Sequence, residues 1–134
     1  MYQSSNIGAL IKAVPGVAPA AQSAGAVNGA AIDRLGYLSC VLAVITGAVT
    51  GTPSAQSSTC QIEHSDDGLS NWGALTGAQV AVTGANSIGQ VDVDLSGAKR
   101  YIRVVNTTAF TGGTTPTLAS GATVVLGGAD KLPA

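Results

Sequence analysis

Two carboxylates, Asp92 and Asp94, are the side chains whose spacing most resembles a catalytic pair. Paired carboxylates can divide acid and base work between them, as in glycoside hydrolysis. Both residues, however, lie in segment 91–95, where apolar and acidic residues alternate with the period of a half-buried strand. A Ser96-Gly97 turn signal follows, so we predict a hairpin over residues 91–105 whose carboxylates form cross-strand ion pairs. The basic residues available for those ion pairs are Lys99, Arg100 and Arg103.

His64 is the only histidine, so a catalytic triad or a histidine metal site would depend on it. It ends the alternating segment 60–64, which favours a strand-end position over a catalytic base. The acidic residues beside it, Asp66 and Asp67, lack the spacing of an EF-hand and precede Gly68, a combination typical of a turn. We therefore predict no catalytic residue, no metal and no cofactor.

The two cysteines, Cys40 and Cys60, do not form a CxxC or any other metal-ligand spacing. They are either buried small hydrophobic residues in neighbouring strands or a disulfide across a sheet. The sequence leaves both alternatives open, because a disulfide requires Cα atoms within about 7 Å of each other. Residues 106–108 read Asn-Thr-Thr and fit an N-glycosylation acceptor, which we expect to be unused because no secretory signal is visible.

The composition favours a single domain with many protein contacts. Of the 134 residues, 46% are hydrophobic and only 10% are charged, well below the roughly 25% of an ordinary soluble domain. A net charge of −1 and 4% aromatic residues argue against a nucleic-acid partner. The most apolar segment, residues 38–49, is too short to span a bilayer, so we also expect no membrane contact.

The chain divides into an N-terminal arm with a linker, residues 1–26, and a β-rich domain, residues 27–134. The arm contains apolar residues that could form a short amphipathic turn or an edge strand, and its Pro and Gly residues then interrupt regular structure. Seven or eight short strands over the rest predict an all-β fold, an antiparallel β-sandwich of jelly-roll type with an extended arm. These apolar arm residues are Ile7, Leu10, Ile11 and Val14.

Two further features bear on packing. Segment 37–46 is apolar at both alternating sets of positions, which indicates a central strand or one whose second face is covered by a partner. Trp72 follows a turn-rich segment, and we expect its ring to close one end of the sandwich.

Four segments in order resemble a family of small tailed-phage and prophage structural proteins, the capsid decoration (cement) proteins. The resemblance covers residues 27–134 and implies a jelly-roll-like sandwich on the outside of a phage head. Such a protein would form a homodimer or homotrimer, bridge major capsid subunits and carry no catalytic residues. It would be made in the cytoplasm of the bacterial host and reside in the virion. The segments that carry the resemblance are 28–34, 63–68, 93–103 and 126–130.

We expect the partner contacts to come from the arm and from the wet face of the predicted hairpin. Two alternatives remain open at this stage. One is a carbohydrate- or receptor-binding sandwich of a head fibre or tail, which would use Trp72; the other is a small hydrolase, which would require His64. The residues predicted to contact a partner are Ile7, Leu10, Ile11, Val14, Asp92, Asp94, Arg100 and Arg103.

Overall fold

The computed structural model describes residues 6–131 and 133–134. A short 3-10 helix, Ile7–Ala9, precedes nine β-strands that form two sheets. The strands are β1 (Lys12–Gln22), β2 (Gly25–Asn28), β3 (Ile32–Asp33), β4 (Tyr37–Thr50), β5 (Ala55–Ser65), β6 (Gly73–Val82), β7 (Ile88–Asp94), β8 (Tyr101–Thr111) and β9 (Thr117–Ala129). No helix in the described ranges is long and apolar enough to cross a membrane.

The strand order identifies a jelly roll. Sheet A has the order β1-β9-β4-β7, and sheet B has the order β2-β8-β5-β6, with β3 also paired to β8. All of the pairings between strands are antiparallel. Because β2 and β3 both pair with β8, they act as one interrupted strand, and the nine strands then make two four-stranded sheets joined as in a double Greek key. The predicted antiparallel sandwich is confirmed.

The core lies between the two sheets and follows the alternation of the sequence. From sheet A, the inward residues of β4 include Leu42 and Val44, which are fully buried. They meet Ile62 of β5 and Val104 of β8 from sheet B, which are equally buried. Each such side chain contributes roughly 1.5–3 kcal/mol through removal from water, so these strands hold the two sheets together.

The segment predicted to be a hairpin connects the two sheets instead. Strand β7 pairs with β4 in sheet A, whereas β8 pairs with β5 in sheet B. Between them, the side chains of Leu95 and Ala98 are buried, and they fix the chain at the point where it passes from one sheet to the other. The hairpin prediction was therefore wrong, because alternation reports which face of a strand is buried and not which strand lies beside it.

The N-terminal region also differs from the prediction. Residues 12–22 form strand β1, which pairs with β9 along the edge of sheet A, and residues 25–28 pair with β8. Val17 of β1 is only 4% exposed and belongs to the core. Two register shifts in β1 accommodate its prolines without breaking the pairing. Among the described residues, the boundary predicted at residue 26 is therefore not a break in the fold, and residues 1–5 lie outside the described part.

Gly29 marks the close approach that joins this N-terminal region to the sandwich. A Cβ atom at this position would lie 1.9 Å from the carbonyl oxygen of Gly16. The Gly29 N–H meanwhile donates to the carbonyl of Val104 at 2.7 Å. Only glycine allows both contacts, since the obstructing atom belongs to the backbone and cannot rotate away.

Candidate functional site

The surface that differs most from an ordinary protein surface is the outer face of sheet A, the side turned away from sheet B. Alternation and register place one set of residues from each of its four strands on this face. Among all residues of the four strands, only Lys12, Asp92 and Asp94 are charged, and they lie on the two edge strands. The centre of the face is therefore uncharged. The outer face of sheet A comprises Ala13, Pro15, Ser39, Val41, Ala43, Ile45, Ile88, Gln90, Asp92, Asp94, Ala119, Gly121, Thr123, Val125 and Gly127.

Two isoleucines protrude from this face. Ile45 of β4 and Ile88 of β7 are register partners, and they are 58% and 70% exposed. Beside Ile45 lies a hollow of about 390 Å³, lined by small residues that include Pro19 and Gly121. Exposed apolar side chains next to a shallow apolar hollow are typical of a surface that another protein covers. This agrees with the sequence prediction that segment 37–46 is apolar on both faces.

An open groove of about 600 Å³ crosses one end of the same face. It is lined by Ile11, Asp92 and Asp94, so three of the predicted contact residues come together here. The Asp94 carboxylate accepts the Ser96 N–H at 2.9 Å, and this bond holds the pKa of Asp94 below its usual value. Asp92 is exposed and has no ion pair within the described residues.

The other apolar residues predicted as contacts are dispersed. Ile7, in the 3-10 helix, is 64% exposed, while Leu10 is half-buried. Val14 pairs with Val124 and packs against the core, so it supports the fold and is not part of the outer face. Of the four, only Ile11 lines the groove.

The predicted cross-strand ion pairs of Asp92 and Asp94 are wrong. Arg100 binds Asp33 of β3 through two bonds of 2.8 and 3.1 Å, and Arg103 binds Glu63 of β5 at 2.7 and 2.9 Å. Hydrogen bonding from Arg100 lowers the pKa of Asp33. Sequence reasoning missed these partners because they lie on strands of sheet B that are distant in sequence and adjacent only in space.

The outer face of sheet B is polar, in contrast to that of sheet A. Arg103 and Glu63 pair on it, and the Arg103 guanidinium also stacks over the Trp72 ring, 4.5 Å from its centre. Trp72 is half-buried beside the first residue of β6. Its ring is therefore held by a cation–π contact on this face.

The residues considered for catalysis have structural partners. His64 Nδ1 accepts the backbone N–H of Lys99 at 3.1 Å. Asp67 accepts the N–H groups of Leu69 and Ser70 and the hydroxyl of Ser65, and these bonds hold the pKa of Asp67 far below its usual value. Within the described residues, no group of three or more His, Cys, Asp and Glu side chains is placed to hold a metal.

The two cysteines are free and buried in opposite sheets. Burial raises the pKa of Cys40 to about 11 and that of Cys60 also to about 11. Of the two alternatives left open by the sequence, the structure has the buried free thiols. The two cysteines were expected in neighbouring strands, but their strands, β4 and β5, belong to different sheets.

A buried polar cluster links the sheets. Asn106 of β8 donates through its Nδ2 to the Ser120 hydroxyl of β9 at 3.0 Å, and its Oδ1 accepts the Ser58 hydroxyl of β5 at 2.7 Å. All three side chains are buried. In the folded protein Asn106 is thus inaccessible to glycosylation, although its sequence context fits the acceptor pattern.

The fold and these surfaces define a jelly-roll β-sandwich with one polar outer face and one outer face that is uncharged at its centre. No protein-family model matches the chain, and no curated protein matches its sequence. Among solved structures, it is similar to the exported protein XepA of PBSX, with a TM-score of 0.63 and 20% identity over 98% of this chain. That likeness establishes a shared fold, and this chain spans 41% of the length of XepA.

Two weaker likenesses were also found. The SPBc2 prophage-derived protein YomS gives a TM-score of 0.48 and 9% identity, with 87% of this chain and 91% of YomS covered. A subunit of the disulfide-linked pili that form Bacillus endospore appendages gives a TM-score of 0.45 and 11% identity, covering 95% and 96% of the two chains.

Proposed function

We propose that this chain is a structural protein of a virion, a head decoration (cement) protein that binds the outside of a phage capsid. In this role it bridges major capsid subunits and stabilises the shell. The observation that carries the proposal is the outer face of sheet A, four strands wide and uncharged at its centre, with Ile45 and Ile88 exposed. A surface of this kind favours contact with protein over contact with water.

The phage assignment has separate support. The ordered segments between residues 28 and 130 resemble the decoration-protein family, and the fold is shared with a protein of PBSX. Under this proposal the major capsid protein is the partner, and neither nucleic acid nor membrane takes part. The protein is made in the cytoplasm of the bacterial host and ends on the capsid exterior.

The mechanism we propose is avidity on a repetitive surface. One subunit offers a contact area of ordinary size, and many copies on one shell multiply its effect without any new contact. The sandwich is suited to this role because its outer faces are fixed by two hydrogen-bonded sheets and by the buried cluster of Asn106, Ser58 and Ser120. The groove residues Ile11, Asp92 and Asp94 would contact the capsid or a neighbouring subunit at the edge of the face.

The proposal is tested with heads of the phage whose genome encodes this chain, prepared without it. Purified protein should co-sediment with these heads and add density to the capsid exterior in electron micrographs. Ala43→Asp, at the centre of the outer face of sheet A, should reduce binding at least tenfold. Thr107→Asp, the matched change on the outer face of sheet B, should leave binding unchanged. Density on the tail alone, or no binding to heads, would overturn the proposal.

The carbohydrate-binding alternative makes a different prediction. Its site would be Trp72, whose ring is stacked with Arg103. Binding on a glycan array that is lost in Trp72→Ala, with head binding absent, would replace the decoration role by this one.

A further inference from the structure

We infer that the outer face of sheet A is covered by a second copy of this chain, packed face to face about a two-fold axis parallel to β4 and β9. The inference rests on the proposed function only in assigning that face to protein contact, and it names the occupant. One two-fold axis makes the two faces complementary both in shape and in charge.

The axis follows from the order of the strands. Sheet A runs β1-β9-β4-β7, so a two-fold axis between the central strands places β4 of one copy over β9 of the other and β7 over β1. Because the axis is parallel to the strands, the rotation leaves each residue at the same position along the strand direction, called its height below. Register partners within one sheet therefore share one height in both copies. Ile45 and Gly121 share one height, and Val41, Val125, Ala13 and Asp92 share another.

The shape of the face fits this superposition. Rotation places Ile45 of each copy over Gly121 of the other, where the absent side chain leaves the hollow beside Pro19. Large side chains opposite small ones allow two sheets to interdigitate at the usual separation of about 10 Å. Symmetry repeats each contact twice.

The charges fit the same superposition. Asp92 and Asp94 lie on edge strand β7, and Lys12 starts the opposite edge strand, β1, at nearly the same height. Within one copy these edges are three strand spacings apart, roughly 14 Å, too far for direct pairing. The rotation brings the carboxylates of one copy over residues 11–13 of the other. The Lys12 side chain leaves the backbone on the core side of β1. Because Lys12 is exposed and lies on an edge strand, its flexible aliphatic chain can bend around that edge.

Other ways of joining two copies fit less well. A two-fold axis perpendicular to the strands would place β7 over β7 and β1 over β1, so Asp92 and Asp94 of one copy would not lie near Lys12 of the other. Addition of a strand at the β1 edge is opposed by Pro15 and Pro19, which have no N–H to donate. The face measures roughly 19 Å by 26 Å from strand spacing and rise, about 500 Å² per copy. Two such faces bury about 1,000 Å², about the least area expected of a biological interface.

Charge exchange tests the pairing. Purified wild-type chain, examined by light scattering over a concentration series, should be a dimer. Lys12→Asp should raise the dimer dissociation constant about tenfold, because it replaces two attractive contacts by two repulsive ones. A combined variant should restore the dimer dissociation constant to within about threefold of wild type; it carries Lys12→Asp, Asp92→Lys and Asp94→Lys. Lys131→Asp, the same charge change outside the face, should have no effect. Failure of the combined variant to recover, with all variants folded by circular dichroism, would refute the pairing.

A second variant keeps the test independent of the edge charges. Ala43→Asp places a carboxylate at the centre of the face and should give a folded monomer, whereas Thr107→Asp should remain a dimer. Head binding, measured on the same samples, separates the two proposals. A wild-type monomer that binds heads would overturn the second-copy inference and leave the decoration role standing. A dimer that does not bind heads would support the inference and overturn the decoration role.

Discussion

Replacement of Asn106 by alanine tests how the two sheets are held in register. The Asn106 side chain lies in the core and connects β8 to β5 of its own sheet and to β9 of the other. Alanine removes both hydrogen bonds, and the buried hydroxyls of Ser58 and Ser120 lose their partner.

The expected loss of stability follows from these contacts. Two buried side-chain hydrogen bonds contribute about 1 kcal/mol each, and a buried hydroxyl left without a partner costs about 1–3 kcal/mol. We therefore expect Asn106→Ala to lower the free energy of unfolding by about 3 kcal/mol. Adding Ser58→Ala removes one of the orphaned hydroxyls, so the double variant should lose at least about 1 kcal/mol less than the sum of the single losses.

Urea denaturation followed by circular dichroism and tryptophan fluorescence measures both quantities. Thr107→Ala, the exposed neighbour on the same strand, should change stability by less than about 0.5 kcal/mol and serves as the control. A loss below about 1 kcal/mol in Asn106→Ala, or strict additivity with Ser58→Ala, would show that the cluster does not stabilise the sandwich as the hydrogen bonds indicate.

Three further predictions concern acid, thiols and the N-terminus. Because the folded pKa of Asp67 lies below its unfolded value, the stability contributed by the Asp67 carboxylate is present above about pH 4 and is lost as pH falls through the folded pKa. Asp67→Asn keeps the acceptor oxygen but not the charge, so this variant should be less stable than wild type at pH 7. The difference in stability between the two proteins should close in denaturation curves recorded below about pH 4. With thiol pKa values of about 11, Cys40 and Cys60 should be silent to a thiol reagent at pH 8 in the native protein and react as two thiols in denaturant, and rapid native reaction would contradict their burial. Deletion of residues 1–22 removes β1 and exposes β9, so circular dichroism should show an aggregated or unfolded chain. Deletion of residues 1–9 should leave the fold intact. Equal stability of the two truncations would show that β1 is dispensable.

The structure reverses one expectation about the N-terminus for a clear physical reason. Pro15, Gly16 and Pro19 interrupt any regular pattern, so the sequence predicts an arm that stops before residue 27. An edge strand, however, needs hydrogen bonds on one side only, and register shifts in β1 absorb the prolines. The inward position of Val17 is visible only once β9 lies beside it.

The candidate contact residues, too, could be predicted only in part from the sequence. That segment 37–46 is apolar at both alternating sets of positions can be read from the sequence, and of the two interpretations offered, the structure has the central strand, with β4 between β9 and β7. The meeting of Ile11 with Asp92 and Asp94 in one groove could not be read, because these residues lie on opposite edges of sheet A and about 80 positions apart in the chain. Arg100 and Arg103 were expected on the same surface and lie with sheet B.

By itself, the sequence determined that this chain is an antiparallel β-sandwich, through alternation, β-branched segments and glycine-rich turns. It also determined that the charges are few. Tertiary structure alone decided which strands are neighbours and therefore which charges pair. The reason is that alternation is a local property of each strand, whereas pairing depends on where the chain crosses between sheets, as it does at the buried Leu95 and Ala98. For Asp92 and Asp94, that crossing leaves two carboxylates at the edge of a face whose centre is uncharged, without the partners that the sequence suggested.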